Sequence, residues 1–507
     1  MKHPLRAAAA LIAAATLLTG CTGGKGSGTA KDASLDIATM TLPQSLDPVA
    51  AVGSALPYFQ AVYDTLIKRN ADGSYAPMLA TAWTYDATRT QLTLTLRQGV
   101  TFDGGTPFDA KAVKANLERF QKGGGADAKT LAALKSVTVV DPTHVKLTLT
   151  RPDPAMIFYL SDSAGLMADP AAFAKGDALK TRPDGTGPYE LDQARSAIGT
   201  RWVFTRAKHY WGEHLPYDTI TISYFDNETA IVNGLKTGQI NAALLQDAGQ
   251  QISAEADRRL KTTPQRFDFQ GILLFDRGGV ITPALKDVRV RQAINYAIDR
   301  PTMLKQIRHD RGEITDQVFG TASAAYDPSL DRAYPFDQAK ARTLLAQAGY
   351  GGGFTLKLPR IPAIVSDALA TSLQTDLKAV GITLQWDQVD ASAVRKIFTD
   401  RAYSGMVMNI GQPAEDWLTI KDLVLPGTFN LFGTTDDTVK GLLAKIEPRS
   451  AADAKADLRA LNDHLVKDAW FVPFYRMTYL HVSDGTVKIT PQTGMAVPSI
   501  YGYAPAK

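Results

Sequence analysis

The sequence predicts an α/β chain of two or three lobes built on mixed or parallel sheets, and three observations carry that reading. Its 507 residues exceed one ordinary domain and can bury a sizeable core. From Ser34 onward, β-prone runs alternate with capped amphipathic helical segments. No internal repeat or low-complexity segment interrupts that alternation beyond a short stretch near the start. The formal net charge of +4 is small for this length, and no run clusters Lys and Arg with interleaved aromatics, which excludes nucleic acid as a partner class. The single cysteine, Cys21, excludes an intramolecular disulfide framework and a multi-cysteine metal site.

The N-terminus has the layout of a bacterial secretory signal. Lys2 and Arg6 form a positive region, Ala7 to Leu18 an apolar run of about twelve residues, and Leu18-Thr19-Gly20-Cys21 a lipobox. An uncleaved anchor is the alternative, but at ~1.5 Å per residue that run reaches only ~18 Å against a hydrocarbon core of ~30 Å. Cleavage before Cys21 followed by acylation is therefore expected, the two or more chains giving stable anchoring. Residues 1–21 are the signal with its lipobox, the mature protein starting at Cys21, and 22–33, rich in Gly, Ser, Thr and Lys, a flexible tether. No later segment is apolar enough to span a bilayer.

In chain order, Ser34 to Thr39 is a strand, Leu46-Asp47-Pro48 a turn, and Leu56 to Arg69 a helix with Tyr58, Val62 and Leu66 at helical spacing. Gln91 to Leu96 alternates with period two, Val100 to Phe102 is a second short β-prone piece, and Asp103-Gly104-Gly105-Thr106-Pro107 is a turn cluster. Asp109 caps the next helix, and Phe108 staples onto Val113. Val137 to Val140 and Val145 to Leu149 form a hairpin around Asp141-Pro142. After the breaker Gly185 to Tyr189, Ile220 to Phe225, the Asn227-capped helix Glu228 to Lys236 and Ile240 to Leu244 make a β–α–β unit. Further on, Asp287 caps Val288 to Ile298, Asp337 starts a helix ended by Gly349, and Phe354 to Leu358, Ser366 to Val380 and Ile382 to Trp386 repeat strand, helix, strand. Ser404 to Asn409 is a strand, Ala451 to Ala469 the last long helix, and Phe471 to Tyr475 a strand.

The phrase LRQGVTFDGGTPFDAKAVKANLER closely resembles the signature of the extracytoplasmic solute-binding proteins of family 5, the peptide/nickel-type binding components of ABC importers. Gly185-Thr186-Gly187-Pro188-Tyr189, Tyr210-Trp211-Gly212 and DVRVRQAINYAIDR fit the same family, so the resemblance covers nearly all of the chain after Leu35. It implies a two-lobed periplasmic-binding-protein-like (type II) fold with an extra inserted domain. Lobe I would comprise 34–75, 183–266 and 483–507, the inserted domain 76–182, and lobe II 267–482. It also implies a function: capture of a small solute, most of all a short peptide, between lobes that close like a hinged clamp, and delivery to ABC permease subunits. The protein would act as a monomer without cofactor or catalysis, outside the cell membrane and anchored through Cys21. A nickel chelate, an oligosaccharide or a siderophore-like ligand is the alternative cargo.

Enzyme readings find little support in the residues. There is no G-x-S-x-G elbow, no H-E-x-x-H, no phosphate loop, and no G-x-G-x-x-G after a strand, so a secreted hydrolase lacks a nucleophile, base and acid set. The seven histidines are scattered, which favours surface or packing roles over metal ligation. For a binder the candidates stand on loops facing an interlobe cleft. The loop Gly411 to Trp417 supplies Gln412, Glu415, Asp416 and Trp417. By resemblance, Asp416 aligns with an aspartate that receives a ligand's α-amino group in peptide-binding relatives. Here Trp417 stands where the following proline is common, and a competing role for Asp416 is to cap a helix starting near Leu418. Arg360 follows a strand where some relatives place an arginine for the ligand carboxylate, against a competing reading of plain surface exposure. Asn430, Phe432 and Tyr475 complete the set by family position.

Overall fold

The computed structural model describes residues 33–390 and 394–506, so the signal segment, Cys21 and all but the last tether residue lie outside the described residues. Its organising element is a mixed nine-stranded sheet. Along the sheet run Gly405–Gly411, Lys261–Leu274, Phe471–Ser483, Ala242–Leu245, Ser34–Thr39, Thr219–Tyr224, Arg201–Arg206 and Tyr189–Leu191, with Gly312–Ile314 pairing beside Phe471–Ser483. Ser34–Thr39 is parallel to both of its neighbours, as expected of a β–α–β unit, and the remaining pairs are antiparallel.

Two long strands join the halves of this sheet. Residues Lys261 to Arg266 pair with Thr478 to Ser483, Phe269 to Leu273 pair with Phe471 to Arg476, and the register shifts between Arg266 and Phe269. Such an irregularity bends a strand and raises its twist. The sequence expectation had only the first residues of the second strand, Phe471 to Tyr475, and none of the first. Pro264 and the polar run Lys261 to Arg266 obscure it, because that half is largely exposed and only Phe269 to Leu274 is fully buried.

A separate four-stranded antiparallel sheet orders Ala80–Tyr85, Gln91–Leu96, His144–Leu149 and Leu134–Asp141. Leu92, Leu94, Val137, Val145 and Leu147 turn inward and meet Val113, Leu117 and Phe120 of the helix Ala110–Lys122. Asp109 caps that helix by accepting from the amides of Lys111 and Ala112. Val100 to Phe102 is no strand: Thr101 makes one bridge to Pro107 across the glycine turn.

The expected helix Leu56 to Arg69 is shorter. It ends at Val62, Tyr63 turns extended, and Ile67–Arg69 pairs with Tyr75–Pro77. The reason lies in Asp64, whose buried carboxylate accepts from Trp211 Nε1 (2.8 Å), Thr186 Oγ1 (3.0 Å), Tyr501 Oη (3.2 Å) and Tyr210 Oη (3.3 Å). Burial pushes this carboxyl up to about 7, with those four bonds opposing the shift. Gly185 and Gly187 flank Thr186 because a Cβ at either would lie within 2.5 Å of the Val62 backbone. Two of the most recognisable sequence motifs thus build a structural joint.

Candidate functional site

A cavity of about 550 Å³ opens where the main sheet, the Gly411-to-Phe429 segment, the region around Phe158 and the C-terminal segment Gly494 to Val497 converge. Its floor is Phe267 with Met408 to Gly411, the end of the terminal strand of the nine-stranded sheet, which pairs on one side with Lys261–Leu274. The opposing wall carries Phe158 and Tyr159 from the short helix Met156–Leu160, and Phe429 closes one end. A smaller cavity of about 130 Å³ shares Ser54, Ala496 and Val497 with the first and extends toward Tyr58.

Charged groups of both signs face this space. Lys421 Nζ donates to Tyr159 Oη (3.1 Å), lies 4.9 Å from the centre of that ring and 3.9 Å from Asp153 Oδ2. Burial lowers its pKa, while Asp153 opposes the shift. Asp422 beside it is raised by burial, and Lys129, also on the cavity, works against that. Asp127 is raised by burial too and accepts from Ser163 Oγ at 2.9 Å. Asp162 is spent within the protein: it caps a short turn and pairs with Arg69 at 2.7 Å. The Arg69 guanidinium in turn stacks 4.2 Å from the centre of the Phe158 ring and so stiffens the aromatic wall. Two ammonium groups and two lightly engaged carboxylates therefore surround an aromatic and aliphatic space, the chemistry that holds a small zwitterion.

None of the residues expected from sequence lines this cavity. The Asp416 carboxylate accepts from Ser323 Oγ and from the amides of Ala324 (3.2 Å) and Ala325 (3.1 Å). Its oxygens are taken up by that turn, which corrects the expectation that they await an amino group, and the helix cap falls to Glu415, which accepts from Trp417 N at 3.4 Å. Trp417 is buried in the core. Gln412 bridges Val318 O and Arg476. Arg360 pairs with Asp367 and donates Nε to Val365 O, anchoring the turn before the helix Asp367–Lys378, so it is neither at the cavity nor a free surface charge. Asn430 holds Val424 O, Thr434 O and Arg277 in a buried knot, and Phe432 is half-buried against the core. Tyr475 donates to Gln270 Oε1 (2.6 Å), and Gln270 Nε2 donates to Asn409 Oδ1 (2.8 Å), so Tyr475 stands one residue behind the cavity floor.

What sequence reasoning missed is Lys421 with Asp422. They stand between Ile420 and Leu423-Val424, and that interruption of apolar residues was a readable sign. Asp127 and Lys129 sit in a polar glycine-rich loop that carries no comparable signal. Among the described residues no group of three or more His, Cys, Asp and Glu is placed to hold a metal ion.

Comparison with known proteins gives a consistent picture. The profile of the bacterial extracellular solute-binding proteins, family 5, matches residues 74–418. The glutathione-binding protein GsiB of Escherichia coli K12 is 31% identical over 368 residues, covering 68% of this chain and 70% of that protein. NikA from Brucella suis, solved with Fe(III)-EDTA, superposes with a TM-score of 0.80 at 23% identity, covering 94% of this chain and 100% of that one. DppA from Helicobacter pylori, solved with the peptide STSA, gives 0.78 at 21% identity over 94% and 98%.

Proposed function

The chain belongs to the bacterial extracellular solute-binding proteins of family 5, and from that premise we propose that its cargo is a short zwitterionic peptide, of the size class of glutathione, held in the cavity between Phe158 and Met408 to Gly411. The protein is the extracytoplasmic substrate-binding component of an ABC transporter and not an enzyme. The observation that carries the cargo reading is the presence of Lys129 and Lys421 together with Asp127 and Asp422 around one cavity of about 550 Å³. That volume falls within the range of about 300–1,000 Å³ typical of small-ligand sites. The outer edge of Gly405–Gly411 offers main-chain groups for an extended peptide, a mode in which backbone bonds supply affinity and side-chain contacts supply selectivity.

Three further parts belong to the same proposal. The lobe division is the one set out from sequence, 34–75 with 183–266 and 483–507 against 267–482, with 76–182 inserted; the register shift between Arg266 and Phe269 supports a hinge there. The lipobox supports acylation of Cys21. A monomer is the working state.

The test is calorimetric titration with glutathione, with di- to tetrapeptides, and with a nickel–histidine chelate as the competing cargo. A peptide is expected to bind saturably without turnover, and Lys421→Met to weaken it by about ten- to a hundredfold, the loss of a partly buried charged contact of about 1.5–3 kcal/mol. Binding of the chelate but of no peptide, or unchanged peptide affinity in Lys421→Met, refutes the assignment.

A further inference from the structure

A second groove, of about 630 Å³, shares no lining residue with the main cavity. It lies where the two long strands end against a small hairpin, Val487–Ile489 paired with Tyr503–Pro505. Lys261 is in register with Ser483 and Thr263 with His481, so these four side chains stand on one face of the sheet. Facing them, Ile489, Ala504 and Pro505 supply an apolar wall over the buried Val487, and Lys488 stands at its exposed rim.

The charge content separates this groove from the peptide cavity. Among the described residues no carboxylate lines it, while Lys261 and Lys488 both do. Among the described residues, Lys261 Nζ reaches the Arg258 carbonyl at 3.4 Å and no carboxylate, so its charge is available. Ser483 and Thr263 add hydroxyl donors. His481 is 1% exposed, and its Nε2 lies 2.7 Å from Gln265 Oε1. Gln265 Nε2 donates to the Gln492 and Met495 carbonyls, which leaves Oε1 as the acceptor and makes His481 Nε2 the donor. That bond fixes the ring, and burial pushes the imidazole down to about 4, so it is a neutral wall and not a third cation.

We propose that this groove is a second ligand site, which takes a small aliphatic carboxylate, its head held by Lys261 and Lys488 and its chain laid on Ile489 and Pro505. An amine of the same shape meets two like charges there. A neutral chain leaves both lysines unused, and a compact inorganic anion leaves the apolar wall uncovered. The site also has a physical link to the first: His481 holds Gln265, Gln265 holds the Gln492-to-Met495 segment, and Met495 lines the peptide cavity.

The experiment titrates the full mature chain with octanoate, and with octanol and octylamine as shape-matched probes, following amide chemical shifts. Octanoate is expected to saturate and the other two to bind about tenfold or more weaker. Lys261→Glu combined with Lys488→Glu is expected to weaken octanoate by at least about tenfold; both side chains are exposed, and Lys488→Gln, expected to weaken it by about threefold, serves should the double variant fail to fold. Failure of octanoate to saturate, equal binding of octanol, or wild-type octanoate affinity in the folded lysine variants each overturns the proposal.

Discussion

The segment from Gln412 to Phe429 divides into halves that use the same residue types to opposite ends. In the first, Gln412, Glu415, Asp416 and Trp417 point away from the cavity and are bonded or packed within the protein. In the second, Leu418, Lys421, Asp422 and Phe429 face it. The change of side falls within the helix Asp416–Thr419, between the neighbours Trp417 and Leu418, and the π turn Ile420–Val424 that continues it carries Lys421 and Asp422 at the cavity. Asp416 and Asp422 are six positions apart, yet one carries a turn and the other is left for a ligand. Wiring and recognition therefore separate within a few residues, and mutations in the two halves must affect different measurements.

The largest effect expected in the wired half comes from Asp416→Ala. It strands the Ala324 amide and the Ser323 hydroxyl in a buried turn and leaves the Ala325 amide only Ser323 Oγ, at a cost of about 3 kcal/mol in unfolding free energy. Peptide affinity of the folded fraction is expected to stay within about twofold of wild type. Urea unfolding alongside calorimetry distinguishes the two quantities. An affinity loss of Lys421→Met size with unchanged stability breaks the division and restores Asp416 as a ligand anchor.

How much of this was legible in the sequence depends on the range of the interactions. Asp109, Asn227, Asp287 and Asp337 are read correctly as caps because each bonds to amides two or three positions on. The mixed α/β character follows from such local signals. Asp416 could not be read this way: its partner Ser323 is 93 positions away, so an acid on a polar loop looked available when it was already bonded. Arg360 failed for a nearer reason, since Asp367 lies one loop further along and claims it. The long strand Lys261–Leu274 escaped because half of it is held by pairing rather than by burial of its own side chains.

A pH series tests the same division at Glu415. Burial, with Asp416 adding repulsion, pushes this carboxyl up to about 8. Its pKa is thus above that of the unfolded chain, so the folded form binds the extra proton. The associated stability is present in full below about 4.5 and is lost as pH rises through about 8. Glu415→Gln keeps an acceptor for Trp417 N but carries no charge. Its melting temperature is expected to fall less than that of wild type between pH 5 and pH 9. Parallel curves would mean that Glu415 is ionised and solvated in the folded protein.

The smallest effect, and the finest test, belongs to Tyr475. Its hydroxyl reaches the cavity only through Gln270 and Asn409, two hydrogen bonds of 2.6 and 2.8 Å in series. Tyr475→Phe removes the first and leaves Gln270 Oε1 without that donor, a loss of about 1 kcal/mol in stability. Gln270 Nε2 still donates to Ile364 O (3.1 Å) and to Asn409 Oδ1, so Asn409, the group on the cavity floor, loses little orientation and no contact. Peptide affinity is expected to fall by no more than about threefold, and Asn409→Ala by more than that. If Tyr475→Phe instead matches or exceeds Asn409→Ala in calorimetry, the tyrosine touches ligand.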